Sequence, residues 1–122
     1  KTGIMKQTRG GIMYKQGDII LIPFPYTDLS GQKQRPALII SNDSINKTQD
    51  RICCLITSNS PSDGIKIIKE HFEEGVLPFQ SWIKAQRIFT IHEKIITKKL
   101  CSTTKSFQKK VKSTIDTYTN IL

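Results

Sequence analysis

The sequence predicts a mainly β domain that ends in one helix, arranged as a small antiparallel barrel or half-barrel that the helix closes. Short apolar runs rich in isoleucine recur at residues 19–22, 37–40 and 52–56. Each run is bounded by Gly, Pro, Asn, Asp or Ser, which is typical of buried strands rather than helices. From Thr104 onward the apolar residues change to the helical period. Several short strands followed by one helix favour this architecture.

The composition fits a single small domain with an acidic partner. The 122 residues carry a net charge of +9, and 37% are hydrophobic. Such a charge favours nucleic acid or an acidic protein as partner. Cys53, Cys54 and Cys101 are odd in number and have neither a disulfide framework nor zinc-ligand spacing, so we expect reduced thiols in a cytoplasmic protein. No apolar run approaches the about 18 residues of a membrane span, and no signal-peptide pattern is present, so no membrane association is expected.

The first twelve residues, "KTGIMKQTRGGI", differ from the rest of the chain. They have no clear periodicity, and Lys1, Lys6 and Arg9 are their charged residues. We expect residues 1–12 to form a flexible basic arm, or to derive from upstream of the domain. A role of this arm in touching RNA is an alternative. Residues 13–122 are expected to form one domain.

The middle of the chain holds further short elements. "SNDSINKTQD", between the second and third predicted strands, has room for one helical turn. "SNSPSDG" predicts a loop, followed by a short strand at residues 65–68. "SWIKAQRIFTIH" alternates at first, with Ile83 and Ala85 on one face. The alternation then slips at Arg87, which predicts a bulge or a strand end near residues 86–88.

The C-terminal segment predicts an amphipathic helix. Thr103 or Thr104 is a suitable N-cap. The apolar stripe and the basic outer face follow helical spacing. The stripe consists of Phe107, Val111, Ile115, Tyr118 and Leu122, and the basic face of Lys105, Lys109, Lys110 and Lys112.

The loop between the first two predicted strands, "PFPYTDLSGQKQRP", is fourteen residues long. Long ordered loops in small domains tend to be functional. The second and third strands are expected to pair antiparallel because their connection is short. This pairing brings Arg35, just before the second apolar run, to the same end of the sheet as Thr57. A guanidinium, a hydroxyl and a polar loop are therefore expected together.

These segments carry a family resemblance. "GDIILIPFPYTDLSGQKQRPALIIS" looks like the N-terminal signature of the MazF/PemK toxin family, and "RICCLITS" resembles its third strand. "LPFQSWIKAQRIFTIHEKII" is similar to its later strand and the turn after it, so that the resemblance covers about residues 14 to 122. It implies an SH3-like barrel, a homodimer and inhibition by a cognate antitoxin with an acidic tail. It also implies sequence-selective endoribonuclease activity without a metal or other cofactor. The family's catalytic arginine and threonine match Arg35 and Thr57.

The residue types suit RNA cleavage. The 2′-OH of RNA can attack the adjacent phosphate, leaving a 2′,3′-cyclic phosphate and a 5′-OH. An arginine fork can bind that phosphate and stabilise its charge, and Thr57 can hydrogen-bond or orient it. His71 and His92 are the chain's imidazoles, and neither lies in the matched motif, so the base stays open. Alternatively, Arg35 could pair with Asp28 or Asp18 on the surface.

The residues expected to contact single-stranded RNA lie on the loop, at the end of the third strand and on the later strand. They are Phe24, Tyr26, Ser30, Gly31, Gln32, Lys33, Gln34, Ser58, Lys84 and Arg87. The two aromatic rings could stack on bases or cap the mouth of the barrel. The polar side chains at positions 32–34 could read RNA or form a solvated loop tip.

Two other functions remain open. A toxin of the same fold could inhibit DNA gyrase by protein–protein binding, in which case its C-terminal "TYTNIL" would bind the target. A non-catalytic RNA-binding barrel would bind RNA with a strong salt dependence and leave it intact.

Overall fold

The computed structural model of the chain describes residues 11–24 and 33–122, which form seven strands, two α-helices and two 3-10 turns. The strands are β1 Asp18–Pro23, β2 Gln34–Ile39, β3 Asp50–Thr57, β4 Ile65–Ile67, β5 Phe72–Glu74, β6 Ser81–His92 and β7 Lys98–Thr103. The helices are α1 Asp43–Asn46 and α2 Lys105–Tyr118, and the 3-10 turns are Lys69–His71 and Glu93–Ile95. The predicted N-terminal arm, apart from its last two residues, lies outside the described part.

All seven strands belong to one antiparallel sheet, with the order β4-β6-β3-β2-β1-β7-β5. The sheet curls into a half-barrel with α2 against it, which confirms the predicted fold class. The first three strands pair in chain order, β1 with β2 and β2 with β3. The antiparallel pairing assumed for the second and third strands is therefore confirmed.

The sheet buries apolar side chains on both faces, because neighbouring residues of a strand point to opposite sides. In β3, Cys54 and Ile56 join the core cluster beneath α2, whereas Cys53 joins the cluster on the other face. The first cluster also takes Phe107 and Val111 from the helix. Runs with apolar residues at consecutive positions are thus explained by a strand that is covered on both faces.

Several predicted local features are confirmed. One helical turn, α1, connects β2 and β3, and the short strand after the "SNSPSDG" loop is β4. The hydroxyl of Thr104 caps α2 by accepting a hydrogen bond from the backbone N–H of Phe107 at 3.1 Å. The predicted bulge is present in β6, where Cys54 pairs with Ile88 and the next residue of β3 pairs with Lys84.

The predicted helical stripe was too long at its C-terminal end. Phe107, Val111 and Ile115 are buried, as expected, but Tyr118 is 49% exposed and Leu122 lies fully in solvent. The helix ends at Tyr118, and the buried part of the stripe ends at Ile115 in its last turn.

Arg51 on β3 is the largest side chain that the fold buries almost completely, at 2% exposure. Its guanidinium donates hydrogen bonds to the backbone carbonyls of Tyr14 (2.9 Å), Thr48 (2.7 Å) and Asp50 (2.7 Å). It also pairs with a carboxylate oxygen of Glu93 at 3.2 Å. A buried cation is tolerated because each of its N–H groups that lies inside finds an acceptor. Arg51 therefore ties the segment before β1 and the turn after β6 to β3.

The three cysteines are buried free thiols. Burial raises the pKa of Cys53 and of Cys54 to about 12, and burial with the nearby Asp18 raises the pKa of Cys101 to about 11. At neutral pH almost no thiolate forms, so these cysteines act as small apolar side chains. Neither helix of the described part of the chain combines the length and the hydropathy needed to cross a bilayer.

Candidate active site

Arg35 and Thr57 lie at the same end of the sheet, as the strand pairing predicted. β1 pairs with β2 at Ile22 and Arg35, and β3 pairs with β6 at Thr57 and Trp82. The paired register of β2 and β3 ends at Ala37 and Leu55, which lie directly opposite each other, and Arg35 and Thr57 each lie two residues beyond this last pair. Residues directly opposite each other point to one face of the sheet. Because side chains alternate along a strand, Arg35 and Thr57 start from this same face of the sheet.

A cleft opens where β2 and β3 cease to pair. Pro36 has no N–H, so the ladder loses a donor next to Arg35. The cleft has a volume of about 430 Å³. Its lining comes from the ends of β2 and β3, from the loop before β6 with Ser81, and from Leu21 of β1 and Leu100 of β7. It includes Arg35, Pro36, Ile56, Ser58, Leu77, Pro78 and Phe79, but not Thr57. The cleft is thus open to solvent between β2, which carries Arg35, and an apolar wall formed by Leu77, Pro78 and Phe79.

Arg35 is half-buried, and its Nε atom is buried without a hydrogen-bond partner in the structure. Within residues 11–24 and 33–122 the guanidinium also has no ion pair. The alternative pairing with Asp18 is wrong, because Asp18 is buried with Lys99 at 3.4 Å and accepts the backbone N–H of Lys15. A buried donor without a partner is costly, so Arg35 is suited to receive an anion that enters the cleft.

Thr57 is half-buried, and its hydroxyl oxygen accepts a hydrogen bond from the backbone N–H of Asn59 at 3.1 Å. This bond turns the chain directly after β3 and orients the hydroxyl. It uses an acceptor position of the oxygen and leaves the hydroxyl hydrogen available for donation. Thr57 can therefore donate a hydrogen bond to a phosphate oxygen.

The predicted RNA-contact residues near the loop have different surroundings. The backbone carbonyl of exposed Lys33 accepts the N–H of Phe24 at 2.8 Å, which closes the base of the loop. Exposed Gln34 accepts the hydroxyl of Thr97 at 2.9 Å, and exposed Ser58 lines the cleft. Phe24 is only 9% exposed, and the centroid of its ring lies 5.5 Å from that of Phe89. This burial favours the packing role at the barrel mouth. Tyr26, Ser30, Gly31, Gln32 and Asp28 lie outside the described residues.

Lys84 and Arg87 lie on β6 near this end, and the bulge separates their surroundings. Lys84 is opposite Leu55, so it is the diagonal neighbour of Thr57 on the same face, at about 7–8 Å between Cα atoms. Its ammonium is 2.9 Å from a carboxylate oxygen of Asp63. Arg87 is exposed and has no ion pair with any residue that the structure describes.

Neither histidine lies at this site. Nδ1 of His92 accepts the backbone N–H of Lys94, and His92 is opposite Asp50, seven residues along β3 from Thr57 and thus about 23 Å away. Nδ1 of His71 accepts the N–H of Ile68, and the ring stacks on Phe107 at 4.3 Å. Burial, and then Lys110, lower the pKa of His71. Across residues 11–24 and 33–122, no three His, Cys, Asp or Glu side chains cluster as metal ligands.

Sequence reasoning missed Asp63, Gln86 and the wall formed by Leu77, Pro78 and Phe79. Asp63 lies in "SNSPSDG", where it resembles an ordinary turn residue. Its link to Lys84 spans 21 residues and has no local signal. The wall residues begin the segment "LPFQSWIKAQRIFTIHEKII", but their place beside Arg35 depends on how the chain returns to the sheet.

The chain is similar to known toxins in sequence and in structure. Residues 15–118 match the family described as "PemK-like, MazF-like toxin of type II toxin-antitoxin system". No curated protein sequence matches the chain.

Solved structures show the same fold at low sequence identity. An endoribonuclease in complex with its cognate antitoxin from a mycobacterial species aligns with a TM-score of 0.70 and 19% identity, over 88% of this chain and 96% of that chain. Toxin MazF-mt6 of Mycobacterium tuberculosis aligns with a TM-score of 0.68 and 13% identity, over 86% of this chain and 98% of that chain. A MazE-MazF structure from Deinococcus radiodurans aligns with a TM-score of 0.67 and 16% identity, over 88% and 96%.

Proposed function

Because the chain belongs to the family of PemK-like, MazF-like toxins of type II toxin–antitoxin systems, we propose that it is the toxin of such a system and a metal-independent, sequence-selective endoribonuclease. Its substrate is single-stranded RNA. The observation that carries the proposal is Arg35, which lines an open cleft and whose buried Nε lacks a partner, while Thr57 lies at the same end of the sheet. A phosphate would supply the missing acceptor.

The proposed reaction uses a nucleophile that the RNA itself carries. The 2′-oxygen attacks the adjacent phosphorus, the bond from phosphorus to the 5′-oxygen breaks, and a 2′,3′-cyclic phosphate and a 5′-OH result. The proton of the 2′-OH goes to a base, and the departing 5′-oxygen takes up a proton. Arg35 stabilises the charge that develops on the phosphate oxygens, and Thr57 donates a hydrogen bond that orients the phosphate. Both imidazoles are held elsewhere by backbone N–H groups, which argues against them as the base.

Incubation of the purified protein with a mixed single-stranded RNA in EDTA tests this proposal. We expect cleavage to persist, with fragments that end in a 2′,3′-cyclic phosphate and begin with a 5′-OH. The same sequence in double-stranded RNA should resist, because its bases and 2′-OH groups cannot align freely. Loss of all cleavage in EDTA and its return with magnesium would contradict the metal-independent mechanism.

A variant that lacks residues 120–122 is the control for the gyrase alternative. Ile121 and Leu122 are almost fully exposed, so their removal leaves the core intact. An endoribonuclease should keep its RNA cleavage and toxicity after this truncation. A gyrase inhibitor that binds through its C-terminal residues should lose its toxicity.

We propose two protein partners, a second copy of the chain and a cognate antitoxin with an acidic tail. A surface next to the cleft supports an interface. It carries the exposed apolar residues Ile68, Val76 and Phe79, which line one continuous groove. Contiguous apolar surface of this kind marks interaction sites more often than scattered residues do. Sedimentation should show a dimer at micromolar concentration, and a monomer there would overturn the homodimer.

A further inference from the structure

The ammonium group of Lys84 is already occupied by an anion of the protein itself. Its Nζ lies 2.9 Å from Oδ1 of Asp63, and Nε2 of Gln86 donates a hydrogen bond to Oδ2 of the same carboxylate at 2.7 Å. These hydrogen bonds, first the one from Lys84, keep the pKa of Asp63 below its usual value. Both oxygens of the carboxylate are therefore engaged, one by a cation and one by a neutral amide.

The position of this contact relates it to the candidate active site. Lys84 is the diagonal neighbour of Thr57 on one face of the sheet, and Asp63 lies in the connection between β3 and β4 that begins directly after Thr57. The side chains of Lys84 and Asp63 are 21% and 46% exposed, so the pair lies at the surface, where an incoming phosphate can reach it.

We infer that Asp63 competes with the RNA phosphate for Lys84 and thereby lowers the affinity of the protein for RNA. This inference rests on the proposed endoribonuclease function. A carboxylate and a phosphate are both anionic oxygen acceptors. The ammonium of Lys84, which Asp63 holds, must therefore exchange partners before it can bind an RNA phosphate. Exposed ion pairs are weak enough for such an exchange to occur without unfolding.

The exchange gives Asp63 a role that a surface ion pair does not usually have. While RNA is absent, the pair neutralises Lys84 and holds the β3–β4 connection next to β6. When a phosphate takes Lys84, Asp63 keeps only its hydrogen bond from the neutral Gln86, so its negative charge near the RNA is no longer balanced and opposes binding. Release of the cleaved RNA is then assisted, because the carboxylate is ready to take Lys84 back.

The test is the binding of a 2′-O-methyl RNA oligonucleotide of mixed sequence, which lacks the attacking hydroxyl and is not cleaved. Asp63→Asn keeps the shape of the side chain and removes its charge. We expect this variant to bind the oligonucleotide about fivefold more tightly than the natural chain. The slope of log affinity against log salt should steepen by about 0.7, since Lys84 then adds one phosphate contact that no protein anion replaces.

Asp116→Asn is the matched control. It changes the net charge equally and also breaks an exposed lysine pair, Lys112–Asp116 at 2.7 Å, but on α2. It should change the affinity by less than about twofold. In a Lys84→Gln background, Asp63→Asn should raise the affinity for the oligonucleotide by no more than Asp116→Asn does. Urea unfolding of each variant verifies that it is folded.

The outcomes separate this inference from the proposed function. If the natural chain cleaves RNA but Asp63→Asn gains no more affinity than Asp116→Asn, the competition is disproved and the endoribonuclease proposal stands. Weaker binding by Asp63→Asn would overturn the inference as well, because Asp63 would then position the site. If the natural chain neither cleaves RNA nor binds the oligonucleotide, both proposals fail.

Discussion

Replacement of Arg35 by alanine is expected to lower RNA cleavage on the order of 10²-fold or more, the loss typical of a principal charge-stabilising donor. The side chain is half-buried at the cleft, and its Nε has no partner in the structure, so no other described group already uses this donor. Single-turnover cleavage of a defined RNA measures the effect. The fold should be unaffected, since Arg35 makes no ion pair within the described part of the chain.

Two further variants test what Arg35 does. Arg35→Lys keeps the charge but loses the planar fork, so it should recover only part of the activity. Lys47 directly follows α1, at the opposite end of β2 from Arg35, and its side chain is exposed. Lys47→Ala therefore removes one positive charge away from the cleft, and this variant should cleave normally. Normal cleavage by Arg35→Ala would show that the site is assigned to the wrong residues.

Thr57 is expected to contribute less than Arg35. Thr57→Ala removes a hydroxyl that can donate to the phosphate, at a cost of about tenfold in cleavage. Thr57→Ser keeps the hydroxyl and its bond from the N–H of Asn59, so it should lose less. Equal losses in the two variants would assign the role of Thr57 to its methyl group rather than to its hydroxyl.

The largest expected effect on stability comes from Arg51→Met. Methionine fills much of the same volume, but the carbonyls of Tyr14, Thr48 and Asp50 lose their donor inside the protein. Hydrogen bonds to a charged group contribute about 1.5–3 kcal/mol each, so the free energy of unfolding should fall by roughly 3 kcal/mol or more. Urea denaturation measures this change, and RNA cleavage by the folded variant should persist because Arg51 lies far from the cleft lining.

Glu93→Gln is the control for the ion pair alone. The Glu93 side chain is 42% exposed, and glutamine keeps an oxygen acceptor for Arg51. We expect a loss below about 1 kcal/mol, in the range of exposed ion pairs. A loss as large as that of Arg51→Met would show that the charge pair, rather than the three carbonyls, is what stabilises this region.

The candidate site was predictable to the extent that strand pairing determines it. Arg35 and Thr57 flank two apolar runs with a short connection, and antiparallel pairing then brings them to one end of the sheet. The slip of alternation at Arg87 likewise predicted the bulge of β6. Phe24 shows the limit of this reasoning, since sequence alone allowed both base stacking and packing, and only the fold reveals how little of its ring is exposed.

Two strands had no adequate sequence signal. β7, "KKLCST", and β5, "FEE", contain few apolar residues. β7 pairs with β1, and β5 pairs with β7, so these segments are strands because of their neighbours rather than their composition. The predicted apolar stripe of α2 failed in the opposite way, because Tyr118 follows the helical period but is 49% exposed. Periodicity describes what a segment can bury, and the neighbouring element decides whether it does so.

By itself the sequence determined the class of the fold, the positions of the first strands and of α2, and the placement of Arg35 and Thr57 at the same end of the sheet. These features depend on local period, capping and the shortest strand connections, which neighbouring residues encode. Only the tertiary structure decided that buried Arg51 donates hydrogen bonds to three backbone carbonyls, that Arg35 keeps a donor without a partner and that Asp63 pairs with Lys84. Such contacts join residues distant in the chain, and their geometry exists only after the whole sheet has paired in register.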